Sequence, residues 1–168
     1  DLNSTRLILF TSGSTGTPKI VQLSERNLVE SAIAWNKEIA FKNNDLYLNF
    51  MPTHHIGGIS IFIRSLLYGF SIFSIKSFDI DSILKVLNKK PVTLMSMVPT
   101  MLSRILEKTH SHLPDSIRGI ILSGGPSSDV LMRKCINCNI PVFKSYGLTE
   151  TSSGVCGFWL NKHPKKFK

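Results

Sequence analysis

The chain has 168 residues, of which 42% are hydrophobic and 18% charged, with a formal net charge of +9. That length supports one domain with its own core, while so few charges suggest a surface partly covered by further polypeptide. The Lys and Arg residues are spread along the sequence apart from Lys162, Lys165, Lys166 and Lys168, and no basic helix is interleaved with aromatics, so nucleic-acid binding is set aside.

In chain order, short apolar, β-branched runs alternate with longer helical patterns. Strands are expected at Arg6–Phe10, Leu46–Met51, Phe70–Ile75, Val92–Val98, Ile117–Leu122 and Val142–Lys144. Helices are expected at Glu25–Ala40, Ile59–Tyr68, Ile80–Asn88, Thr100–Lys108 and Ser128–Cys138. Near-continuous hydrophobic strands are those buried on both faces of a parallel sheet. The expected fold is therefore α/β: a doubly wound, mostly parallel sheet with flanking helices, taking ligands at the carboxyl ends of its strands. The first strand starts almost at once and the last stretch is basic without a final element, so residues 1–168 read as a single segment of a larger domain.

Three cysteines are too few for a disulfide framework. Cys135 and Cys138 have metal-type spacing, but no second Cys or His pair follows, and on a helix they read as packing residues. No apolar run reaches about 18 residues, the length of a membrane span, and nothing resembles a signal peptide. A reduced, cytoplasmic setting is expected.

The most informative stretch is Thr11-Ser12-Gly13-Ser14-Thr15-Gly16-Thr17-Pro18-Lys19, directly behind the first strand and read as leading into a helix. Its glycines permit close backbone approach, its N–H and hydroxyl groups can surround an anion, and Lys19 adds a positive charge. A polyphosphate suits it. It is not a Walker A loop, because Pro18 precedes the lysine and Ile20 follows it.

With Pro52-Thr53-His54-His55-Ile56-Gly57-Gly58, Ser123-Gly124-Gly125-Pro126 and Tyr146-Gly147-Leu148-Thr149-Glu150-Thr151 following in order, the chain resembles the adenylate-forming superfamily, which includes acyl-CoA synthetases, adenylation domains and luciferases. Bulky Ile20 departs from the small residue usual there. The resemblance implies part of the ATP-binding large domain. Thr11, Ser12, Gly13, Ser14, Thr15, Gly16 and Lys19 would hold the β- and γ-phosphates of ATP. Gly124, Gly125 and Pro126 would lie against adenine, with Tyr146 stacked on it beside Gly147. Thr149 would bond the α-phosphate and Glu150 would ligate Mg2+, with Lys19, Thr149 and Glu150 as the catalytic set. The implied reaction joins a small-molecule carboxylic acid to AMP and then passes the acyl group to coenzyme A.

Within the superfamily, residues 51–60 and 96–102 resemble the o-succinylbenzoate–CoA ligases of menaquinone biosynthesis. His55 would then line the acyl tunnel; a capping or core-edge histidine is the other reading. Arg64 is the only formally charged side chain between His55 and Lys76, on a helix apolar on nearly every face. It is expected to be buried and to meet a distant acid or a second carboxylate of the substrate. The resemblance further implies that the rest of the same polypeptide, including a mobile C-terminal domain, completes the enzyme, the segment alone being inactive. Another acyl-CoA synthetase, a carrier-loading adenylation domain and a non-catalytic nucleotide-binding fragment remain the alternatives.

Overall fold

The computed structural model describes residues 1–11 and 17–163. A six-stranded sheet has the order β4-β3-β5-β6-β7-β8, formed by β3 (Leu46–Asn49), β4 (Ser71–Ser74), β5 (Leu94–Met97), β6 (Gly119–Leu122), β7 (Val142–Leu148) and β8 (Ser153–Trp159). All neighbours are parallel except the β7–β8 pair, which is antiparallel. The expected doubly wound α/β fold is what forms.

Strand alternation divides the core between the two faces. Tyr47, Leu94 and Ile121 point to one side, where α1 (Glu25–Ile39) and α2 (Ile56–Tyr68) bring Trp35, Ile39 and Ile61. Leu48, Met95 and Ile120 point to the other, against Ile83, Leu102 and Met132 of α3 (Ile80–Lys89), α4 (Pro99–Lys108) and α5 (Asp129–Asn137). Each central strand residue is buried whichever way it points, which is why these strands read as unbroken apolar runs.

Local chemistry fixes the helix ends. Ser24 and Asn27 form a reciprocal capping box on α1, Asp79 caps α3 through the Ser82 N–H, and Ser128 caps α5 through the Leu131 N–H. Pro99 opens α4, so the strand ends at Met97 rather than at the expected Val98. At the far end of α1, Arg118 donates to the carbonyls of Ile39 (2.8 Å) and Ala40 (3.0 Å) and pairs with Asp45. Burial pushes the Asp45 carboxyl up, but hydrogen bonds from Arg118, the Lys42 N–H and Thr93 outweigh it and hold the group below its ordinary value.

Three sequence expectations need correction. The first strand, β1 (Thr5–Thr11), is not part of the parallel sheet; it pairs antiparallel with β2 (Lys19–Ser24) in a separate two-stranded sheet. The segment behind β1 therefore leads into a strand instead of a helix. That hairpin packs through Leu9, Val21 and Leu23 on Leu28 and Ile56. Bulky Ile20 points away from this contact, 60% exposed and opposite Phe10, which leaves room for it. Lastly, Cys135 and Cys138 do not share an environment: Cys135 is buried, with its thiol pushed up to about 12 by desolvation, while Cys138 is exposed.

Candidate active site

The sheet changes direction between β3 and β5: β4 follows β3 on one side, and β5 lies on the other. The loops leaving adjacent strands diverge there, and a crevice opens at their carboxyl ends. Met51 beyond β3, Val98 beyond β5, and Ser123 and Gly124 beyond β6 line a cleft of about 560 Å3. Ser145, Gly147 and Leu148 of β7 form a further wall, and Thr11 and Lys19 border it from the β1–β2 hairpin. The volume falls within the range usual for small-molecule sites.

Thr11 and Lys19 are cross-strand partners, so the two ends of the segment between them meet beside the cleft. The expected contacts at Ser12, Gly13, Ser14, Thr15 and Gly16 lie outside the described residues. Thr149 and Glu150 line the cleft from a 3-10 turn, Thr149–Thr151, that joins β7 to β8. Lys19 is the one Lys or Arg, and Glu150 the one carboxylate, among the described lining residues. A triphosphate and a divalent cation match that pairing, since the lysine attracts the phosphates and the carboxylate needs a cation between itself and them. A site with one protein carboxylate suits Mg2+, which takes its remaining ligands from phosphates and water. Among the described residues no group of three or more His, Cys, Asp and Glu forms a metal cluster.

His55 stands at the N-cap of α2 but makes no side-chain cap hydrogen bond; its exposed imidazole faces the cleft beside Ile56 and Gly57. The positive end of the α2 dipole therefore opens on the same space. Its ring lies 4.3 Å from that of His54, which does not line the cleft.

The remaining candidates lie beside or behind the lining. Gly125 and Pro126 continue the exposed loop from Gly124, and Tyr146 is 62% exposed on β7 next to Gly147. Arg64 is 2% exposed, as its apolar helix led us to expect. It stacks 4.4 Å over the Trp35 ring and donates from Nη2 to the Ser153 hydroxyl at 3.1 Å. Its Nε has no partner, no carboxylate of the described residues pairs with it, and burial pushes its guanidinium down to about 10. Arg64 thus sits one layer behind the cleft, with Ser153 between them.

Ser153 and Gly154 were among the residues sequence reasoning missed, as were Met51, Val98, Ser123 and Leu148. The strand-end rule could have found Met51 and Val98, the last residues of expected parallel strands, and Ser123, just beyond one. Ser153 and Gly154 carried no such signal, because β8 was not read as a strand.

The architecture and this cleft define a nucleotide-binding α/β protein. A family model described as AMP-binding enzyme matches residues 1–167, and the chain belongs to that family. The 2-succinylbenzoate–CoA ligase of Bacillus cereus strain Q1 is 37% identical over 156 residues, 92% of this chain and 32% of that protein. Its counterpart in Bacillus mycoides strain KBAB4 is 36% identical with the same coverage. The o-succinylbenzoate CoA synthetase of Bacillus subtilis, solved with the acyl-adenylate intermediate OSB-AMP, superimposes with a TM-score of 0.94 at 35% identity, over 99% of this chain and 34% of that one. The chain therefore spans about a third of the length of the curated relatives it matches. No helix among the described residues is long and apolar enough to cross a membrane.

Proposed function

We propose that the chain is part of the ATP-binding large domain of an AMP-forming acid–thiol ligase, acting on o-succinylbenzoate with ATP, Mg2+ and coenzyme A. The observation that carries this reading is the meeting of Lys19, Thr149 and Glu150, from opposite ends of the chain, on one cleft at the strand switch. The names of the Bacillus relatives supply the acid and the thiol. The B. subtilis enzyme, solved in complex with ATP and magnesium ion at a TM-score of 0.92 and 34% identity, supports the nucleotide assignment.

In this reading Thr11, the segment 12–16 and Lys19 hold the β- and γ-phosphates. Gly124, Gly125 and Pro126 flank the adenine, with Tyr146 over its face beside Gly147. Thr149 donates to the α-phosphate, and Glu150 would hold Mg2+, which when bound would supply positive charge beside the phosphates. His55 borders the acyl side, and Arg64 supplies positive charge for a second carboxylate from behind Ser153. The carboxylate of the acid attacks the α-phosphorus, the bond to the pyrophosphate oxygen breaks, and the thiol of coenzyme A later displaces AMP. The rest of the polypeptide completes the thiol site, and three unpaired cysteines fit a reducing, cytoplasmic setting.

Acid-dependent ATP–pyrophosphate exchange, measured in the polypeptide that carries these residues, tests the proposal. Exchange should require o-succinylbenzoate and fall roughly tenfold or more in Lys19→Ala, which removes a charge-assisted phosphate contact. Exchange that ignores the acid, or that survives Lys19→Ala unchanged, would refute it.

A further inference from the structure

Ser152 and Ser153 both lie in the left-handed region, at φ 54° and 101°, where a side chain is strained. They end the turn that carries Thr149 and Glu150. Two consecutive strained residues persist only where their surroundings over-determine them, and here contacts from two helices do so.

From α1, the Ser31 hydroxyl donates to the Ser152 carbonyl at 2.5 Å. One helical turn on, Trp35 lies so close beneath Gly154 that a Cβ there would come within 2.4 Å of its ring. From α2, Arg64 donates to the Ser153 hydroxyl while stacked on that same tryptophan. Inside the turn, the Thr151 hydroxyl accepts from the Leu148 N–H at 3.0 Å and can donate to the Ser153 carbonyl at 2.9 Å. Gly147 lies across from it, where a Cβ would meet the Ser153 carbonyl oxygen at 1.9 Å.

A buried guanidinium ordinarily finds a carboxylate. This one has no carboxylate partner among the described residues; its Nη2 donates to a serine hydroxyl at the edge of the cleft, and its Nε is left unpartnered. The helix that carries it begins at the cleft with His55 and Ile56, so one rigid element reaches both the acyl side and the Thr149–Glu150 turn.

We propose that Ser153, held by Arg64, is a positioning residue that sets Thr149 and Glu150 against the phosphate–metal group of the nucleotide. This rests on reading the cleft as a triphosphate–metal site. Two substitutions separate position from stability. Ser153→Gly removes the hydroxyl but adopts positive φ without strain, so relief of the backbone offsets part of the lost Arg64 hydrogen bond and Tm should fall only modestly. Arg64→Lys keeps the charge and removes the planar fork that reaches Ser153.

Both variants are to be followed by Tm, by the amide NMR shifts of Thr149 and Glu150 without ligand, and by the Mg2+ concentration for half-maximal ATP binding. We expect moved amides in both, and a roughly tenfold or higher Mg2+ requirement in Ser153→Gly, beyond what its modest Tm change accounts for, the size of one lost charged hydrogen bond. Unmoved amides, or a Mg2+ requirement that changes only in step with Tm, would overturn the positioning role. If the unsubstituted protein binds no ATP–Mg2+, the nucleotide reading fails. The amide shifts then decide the positioning of the turn on their own: moved amides uphold it, and unmoved ones end it.

Discussion

Replacing Arg64 with leucine should leave the fold about as stable as before while removing selection for a dicarboxylic acid. The lowering of its guanidinium from 12.5 to about 10 corresponds to roughly 3 kcal/mol held against the charged form. Against that stand one hydrogen bond to Ser153, worth about 1.5–3 kcal/mol for a charged donor, and stacking on Trp35, worth about 2 kcal/mol when desolvated. The sum lies within about 2 kcal/mol of zero, whereas breaking a buried pair with a carboxylate would cost about 3–5 kcal/mol. A substrate carboxylate could recover up to about 3 kcal/mol, a factor of roughly a hundred. The assay is kcat/KM for ATP-dependent activation of o-succinylbenzoate and of the analogue lacking the second carboxylate, with Tm measured alongside. A loss common to both acids reports the Ser153 contact, and the further loss for the dicarboxylate, about ten- to a hundredfold, reports the carboxylate. An unchanged ratio together with a Tm fall of about 10 °C would refute the reasoning, because that is the signature of an arginine that serves only the fold.

Glu150→Gln keeps the shape of the side chain and removes its charge, so ATP use should fall and partly recover at high Mg2+; wild-type magnesium dependence would exclude metal ligation. Asp45→Ala should destabilise by about 3 kcal/mol, at the lower end for a buried pair because Arg118 is 27% exposed, and a chemical denaturation curve checks it. Because the native Asp45 carboxyl is held below its ordinary value of 3.8, the pair's contribution is complete above that pH and is lost as pH falls through the depressed native value. A wild-type and an Asp45→Asn protein whose stabilities fall in parallel below pH 4 would contradict this assignment.

The parallel sheet was legible because its signal is local. Runs such as Leu94–Met97 and Gly119–Leu122 are buried on both faces, and the helices that follow them open on Pro99 and on the Ser128 cap. The β1–β2 hairpin was not, since Lys19–Ser24 looks like the continuation of a loop until Leu9 and Val21 are seen packed on α1 and α2. β8 was missed because Gly154 and Gly157 have little strand propensity; pairing with β7, with a register shift at Tyr146/Gly147, imposes the extended form. Within the site, the motifs located Lys19, Thr149 and Glu150, and charge pattern alone foretold the burial of Arg64. No pattern could show that the Arg64 partner is Ser153, which lies 89 positions away and is placed by a bulged strand.

The ties from α1 to Ser152 and to β8 also govern how this protein emerges from a ribosome. Ser31 meets Ser152, and the Trp159 indole meets the Glu38 carbonyl, each across 121 positions of sequence. At about 5–20 residues per second, α1 waits roughly 6–24 s after its own synthesis before these partners exist. For most of that interval Trp35 lacks Phe143, and for all of it Gly154, which cover it in the finished fold. A nascent chain stalled before β7 should therefore present this apolar helix face to chaperones, and release of β7 and β8 should hide it.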